Sequence, residues 1–124
     1  MNFKNYLIDI DGTITDDVPN EEPEKMETCL PYEGSVETLN KWYDEGHTIT
    51  FFTSRTDEHK EVTENWLKKH GYKYHHLLLN KPRGGNYAII DNHMFKSCHF
   101  TGNWPKVKKE MDSYVHDYSP SSKI

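Results

Sequence analysis

Four short apolar runs punctuate an otherwise polar chain, at residues 6–10, 48–52, 75–79 and 87–90. Each has the length of a strand, is rich in β-branched, aromatic or leucine residues, and is bounded by Gly, Asn or charge. Between the runs the apolar spacing becomes helical. Ser35 is placed to cap a helix with Val36, Leu39, Trp42 and Tyr43 on one face, and Gly46 ends it. A second helix is predicted over residues 57–70, with Val62, Trp66 and Leu67 inward and Gly71 as its stop. Pro105 suits the first turn of a last helix carrying Val107, Met111 and Val115.

Strands alternating with single helices imply βαβ crossovers. The expected fold is therefore α/β: one Rossmann-like domain of three layers, with a mainly parallel sheet and helices on both faces. It spans residues 1–118, and residues 119–124 read as a flexible tail. Residues 12–34 break the pattern. They hold Pro19, Pro23 and Pro31 and the acids Asp16, Asp17, Glu21, Glu22, Glu24 and Glu27. They read as an irregular flap and not as a linker, because the apolar pattern resumes directly afterwards. Loops this long in compact domains are often functional.

Composition narrows the class. Apolar residues make up 34% of the 124, against roughly 45–50% in an average globular chain that also counts Gly. Such a chain buries one modest core. Its longest apolar run is four residues, far short of the ~18 of a membrane span. Without a signal-peptide pattern, a cytoplasmic protein is expected. The net charge of −5 argues against a nucleic-acid partner, since such affinity rests largely on phosphate neutralisation. Cys29 and Cys98 match no zinc or disulfide framework and read as free thiols.

Open parallel sheets bind ligands beyond the carboxyl ends of their strands. Those ends are Asp9-Ile10-Asp11-Gly12-Thr13, Thr53-Ser54-Arg55, Asn80-Lys81-Pro82 and Asp91-Asn92. Asp9, Asp11 and Asp91 would gather negative charge, opposed mainly by Lys81 and by Arg55. Clustered carboxylates hold either a proton or a cation, and oxygen-only ligands favour Mg²⁺ over zinc. The Thr53 hydroxyl, the Lys81 ammonium and the amides after Asp11 are anion donors. A site offering a cation and anion donors together suits a phosphate group. A single Asp at a strand end is often only a turn former or helix cap. Asp9-x-Asp11-Gly12-Thr13 after an apolar strand is more specific, since both acids point the same way on an extended chain.

This set of residues resembles the four motifs of the haloacid dehalogenase (HAD) superfamily of phosphohydrolases, in order and at plausible spacings over residues 6–100. Within it the chain is similar to small capless phosphatases of capsule or sugar-phosphate biosynthesis. The resemblance implies Asp9 as nucleophile, forming an aspartyl-phosphate, and Asp11 as general acid and then base. It implies Mg²⁺ held by the Asp9 carboxylate, the Asp11 carbonyl and Asp91. Thr53 and the amides of Gly12 and Ser54 would hold phosphate oxygens, and Lys81 would neutralise transition-state charge. Arg55 would line the entrance and contact substrate, unless it is only a solvated arginine at a helix start. Many relatives have a second acid where this chain has Asn92, which bears on metal affinity.

Caps in this superfamily are inserted between the first and second motifs or between the second and third. Only 41 residues separate Asp11 from Thr53 and 27 separate Thr53 from Lys81. One helix plus the flap fills the first gap, and one helix plus a strand fills the second, so no cap fits. The site would then take a large substrate, or be covered by the flap or by a neighbouring subunit in a homo-oligomer. The expected reaction is Mg²⁺-dependent hydrolysis of a small phosphomonoester such as a sugar phosphate. The rivals are a 3-deoxy-octulosonate 8-phosphate phosphatase, a polynucleotide 3′-phosphatase, and a non-catalytic phosphate-binding protein. His75 and His76 lack a third zinc ligand, His93 reads as a surface neighbour of the fourth motif, and Trp42 and Trp66 read as core.

Overall fold

The computed structural model describes residues 3–115. The chain runs β1 (Asn5–Ile8), α1 (Pro23–Thr28), α2 (Ser35–Asp44), β2 (Thr48–Phe52), α3 (Lys60–Lys69), β3 (His76–Leu78) and α4 (Trp104–Asp112), with a 3₁₀ turn, Asp57–His59, leading into α3. The three strands pair in parallel in the order β1-β2-β3, with Tyr6 opposite Ile49, Ile8 opposite Phe51 and Phe52 opposite Leu78. This is the expected α/β architecture with a parallel sheet. The expected tail, residues 119–124, lies outside the described residues.

Alternation along β1 and β2 decides which face is covered. Tyr6, Ile8, Ile49 and Phe51 point into a core completed by Leu39 and Trp42 of α2, Trp66 and Leu67 of α3, and Trp104 and Met111 of α4. Trp42 stacks on Tyr6 with ring centroids 4.1 Å apart, an arrangement worth about 0.5–1.5 kcal/mol beyond its area burial. The opposite face is more open at its edges. Leu7 is 60% exposed and Leu78 47% exposed.

The helix boundaries follow local chemistry, with one correction. Gly34, not Ser35, occupies the N-cap of α2, with φ at +85°. Ser35 is buried instead, its hydroxyl donating to the Tyr32 carbonyl at 2.7 Å and lying 2.8 Å from the Tyr72 hydroxyl. After α2, Gly46 takes φ +101°, and a Cβ there would lie 2.5 Å from the Phe3 ring. Only glycine allows the turn into β2. Asn103 caps α4 by accepting from the Lys106 amide at 2.9 Å.

Two further expectations are revised. Residues 12–34 are not an irregular flap. They contain α1, which packs against α3, and they bury Ile14, Thr15, Val18 and Met26. Trp66 Nε1 donates to the Cys29 carbonyl at 2.8 Å and Trp104 Nε1 to the Thr13 carbonyl at 2.9 Å, so the two indoles tie the segment to the core. The fourth apolar run, residues 87–90, forms no strand. Gly84, Gly85 and Asn86 all adopt positive φ just before it, which turns the chain, and Ile90 ends 99% exposed. A short apolar run has no periodicity that distinguishes a strand from other extended chain.

Candidate active site

The carboxyl ends of the three strands meet as a stitched rim. Beyond β1 the chain turns at once: the Thr13 and Ile14 amides donate to the Ile10 carbonyl at 3.1 and 3.0 Å, and the Gly12 amide donates to the Thr15 carbonyl at 2.8 Å. Gly12 sits at φ +81°, where a side chain would be strained. Beyond β2 and β3, the Thr53 amide donates to the Leu78 carbonyl and the Lys81 amide to the Thr53 carbonyl, both at 2.9 Å. The last two bonds join the second and third predicted motifs, and the parallel pairing of β1 with β2 sets the first beside them.

Asp9 leads this rim. Its carboxyl is pushed above the ordinary carboxylate range, chiefly by burial and further by the charge of Asp11, while the Lys81 ammonium and the Ile10 amide pull the other way. Thr13 Oγ1 donates weakly to Asp9 Oδ2 at 3.4 Å. The Lys81 ammonium lies 4.7 Å from the Tyr87 ring centroid and 5.4 Å from that of Phe52. Both rings hold its position by cation–π attraction.

The remaining predicted site residues divide. Thr53 is fully buried, and its hydroxyl accepts from the Arg55 amide at 3.1 Å. Its own proton stays available to a neighbouring acceptor. The Ser54 carbonyl accepts from Asn20 Nδ2 at 3.3 Å, so residue 20 of the segment after β1 is tied to the rim. The Gly12 amide is engaged with Thr15 and so is not a free anion donor here. Arg55 lines no entrance: it is 0% exposed, paired with Asp11 at 2.8 and 3.0 Å and with the Thr63 hydroxyl at 3.0 Å.

Asp91 stands apart. Its carboxylate accepts from the His93 amide at 3.0 Å and lies 3.2 Å from His93 Nδ1. These contacts hold it below the ordinary carboxylate range, the His93 side chain contributing most. Among the described residues no three His, Cys, Asp or Glu side chains gather as a metal cluster. The fourth motif therefore does not join Asp9 and Asp11 in this arrangement, because the run that should deliver it to the sheet is not a strand. The donor set for a divalent cation is correspondingly incomplete.

Two contributors escaped the sequence reading. Thr63 sits at an inward position of α3, beside Trp66 and Leu67, where it is buried and holds Arg55. A hydroxyl on an otherwise apolar helix face was the available signal. Asn20 carried none, being one polar residue among many. Neither of two surface grooves lies at the rim. One, of about 660 Å³, runs past Pro31, Tyr32, Val36, Lys41 and Pro105, and the other lies beside Asp16, Glu22 and Cys29.

Known proteins resemble this chain. A family model described as the LNS2 domain of PITM 1-3 matches residues 6–88. A putative nucleotidase of Bacillus cereus is 40% identical over 48 residues, 39% of this chain. The chain spans only about 25% of that relative's length. Among solved structures, a structural-genomics target from Vibrio cholerae matches with a TM-score of 0.55 and 25% identity, over 73% of this chain and 80% of that one. The Pnkp1/Rnl/Hen1 complex matches with a TM-score of 0.55 at 22% identity, over 87% of this chain and 32% of the other. That last likeness is one of fold.

Proposed function

The chain belongs to the LNS2-domain family and has a Rossmann-like fold, and on that premise we propose that it is a HAD-like phosphatase that hydrolyses a small phosphomonoester, such as a sugar phosphate, through an aspartyl-phosphate on Asp9. The carrying observation is the half-buried Asp9 carboxylate at the end of β1, opposed by the Lys81 ammonium. Support also comes from the bond between Lys81 and Thr53, which brings the ends of β2 and β3 to the same rim. The absence of room for a cap between the motifs favours the small capless type of phosphatase.

In this reading an Asp9 oxygen attacks phosphorus while the bond to the leaving oxygen breaks, and the proton on the leaving oxygen comes from Asp11. Asp11 then takes a proton from the water that cleaves the acyl phosphate. Lys81 offsets the charge that spreads over the phosphoryl oxygens, and the Thr53 hydroxyl donates to one of them. Mg²⁺ is the proposed cofactor. The Asp9 carboxylate and the Asp11 carbonyl are the ligands the rim offers, and Asp91 completes the set only when residues 80–103 close on it. Bound there, the cation would offset repulsion between Asp9 and the phosphate.

The test is turnover of para-nitrophenyl phosphate with Mg²⁺ and with EDTA. Native protein should turn over in Mg²⁺ alone, Asp9→Asn should lose at least about 1,000-fold in kcat, and acid-quenched native protein should carry phosphate on Asp9. Full activity in EDTA would show that the cation is misassigned. Retained activity in Asp9→Asn would remove the nucleophile. A nucleoside monophosphate is the second reading, favoured by the likeness to a putative nucleotidase. A panel of sugar phosphates, nucleotides and 3′-phosphorylated oligonucleotides separates the two and tests the acidic chain's expected indifference to nucleic acid.

A further inference from the structure

Arg55 has a more unusual setting than any other charged side chain at the rim. It is 0% exposed, yet each of its three guanidinium nitrogens holds a partner. Nε and Nη2 donate to Asp11 Oδ2 and Oδ1 at 3.0 and 2.8 Å, and Nη1 donates to Thr63 Oγ1 at 3.0 Å. Its main chain is bound as well: the amide donates to Thr53 Oγ1 at 3.1 Å, and the carbonyl accepts from the Asn80 amide at 2.8 Å. One residue thus joins the turn after β1, the end of β2, the end of β3 and the inward face of α3.

We infer that Arg55 is a positioning residue that fixes the Asp11 carboxylate for proton transfer, without touching substrate itself. An Asp carboxylate on two rotatable bonds has no preferred plane of its own. The guanidinium fork sets that plane through two parallel bonds, and Thr63 sets the fork. Each carboxylate oxygen keeps a second lone-pair direction, so the clamp leaves Asp11 a free direction toward the leaving oxygen. A lysine at position 55 would keep the charge and lose the plane. The inference rests on the proposed phosphatase reading, in which Asp11 protonates the leaving oxygen.

The test compares native protein, Arg55→Lys, Thr63→Val, Asp11→Asn and the double variant Asp11→Asn/Arg55→Lys, each first shown to be folded by circular dichroism. Arg55→Lys should lower kcat about 100-fold, the scale of a misplaced catalytic group, with KM changed less than about threefold. The loss should be larger for glycerol phosphate than for para-nitrophenyl phosphate, whose leaving group needs no proton. Adding Arg55→Lys to Asp11→Asn should cost little more, because the arginine acts through Asp11. Thr63→Val should show the same leaving-group pattern at about a tenth of the size, and it carries the test if Arg55→Lys does not fold. A rise in KM at unchanged kcat would make Arg55 a substrate contact and overturn the inference, as would fully additive losses or a defect equal for both substrates. Absence of turnover by the native protein would instead overturn the phosphatase reading, and this inference with it.

Discussion

Residues 5–79 and residues 80–103 carry apolar runs of similar length, and they end in opposite surroundings. In the first region each run lies beside another strand, and an amphipathic helix returns over the sheet: Tyr6 stacks on Trp42 of α2, and Phe51 meets Tyr72, just beyond α3, at 5.8 Å between ring centroids. In the second region three residues with positive φ precede the run, and no helix returns before α4. Ile89, Ile90, Met94 and Phe95 are left exposed. A run of apolar residues becomes a strand when a neighbouring strand and a covering helix are both supplied by the chain around it. The functional consequence is direct. Asp9, Thr53 and Lys81 belong to the first region or its border, and Asp91 belongs to the second.

The sharpest way to widen that contrast is to remove a core aromatic. Trp42→Ala should cost about 3–5 kcal/mol of unfolding free energy in denaturant titrations, because Trp42 is buried against Tyr6 and its Nε1 donates to Asp112 at 2.8 Å. A loss under about 1 kcal/mol would mean that the covered face is less tightly packed than described.

Asp9 tests the rim between the two regions. Its folded carboxyl lies above the ordinary value of 3.8, mainly through burial. The folded state therefore binds more protons than the unfolded state just above that pH. Stability contributed by Asp9 is complete below the unfolded value and falls as pH rises through the folded one. At neutral pH the ionised side chain is a net cost. Asp9→Asn should raise the melting temperature at pH 7 while removing turnover, and an unchanged or lower melting temperature would contradict that burial.

The pH dependence of the first region should run the other way on its acid side. His47 Nδ1 accepts from the Lys4 amide at 2.9 Å, and burial, with Lys4, holds its imidazole below the ordinary value of 6.5. Here the unfolded state binds the extra proton first. Stability is complete above about pH 6.5 and declines as pH falls from there toward the folded value. Denaturation midpoints between pH 8 and pH 5 check this, and His47→Gln should flatten part of the decline. A slope of the opposite sign would show that Lys4 and His47 are not partners.

The smallest expected effect is in the second region. Ile89→Pro should change unfolding free energy by less than about 0.5 kcal/mol, because residues 87–90 make no strand pairing. If the same substitution raises the Mg²⁺ requirement for turnover, the segment pairs with the sheet when the cation binds, since proline removes a ladder donor. Asp91→Asn should then raise that requirement as well, and Asn92→Asp should lower it.

The amino-acid sequence by itself determined the local order of this protein. Three short apolar runs made β1, β2 and β3, and apolar spacing near 3.6 made α2 and α3, with Gly46 and Gly71 closing them at positive φ. It also placed Asp9, Asp11, Thr53 and Lys81 at strand ends, because motif position follows from where each run stops. Tertiary structure decided what those residues meet. The segment after β1 looked like a solvated acidic flap, yet Trp66 and Trp104 draw it into the core through bonds to Cys29 and Thr13. Arg55 looked like an exposed entrance residue, and the fold buries it between Asp11 and Thr63. Asp91 looked like a third carboxylate of one cluster, and it lies instead with His93. In each case the side chain's role depends on partners 8 or more residues away, or on whether a neighbouring strand forms at all. Composition and periodicity report on the chain's own path and not on which distant groups it meets.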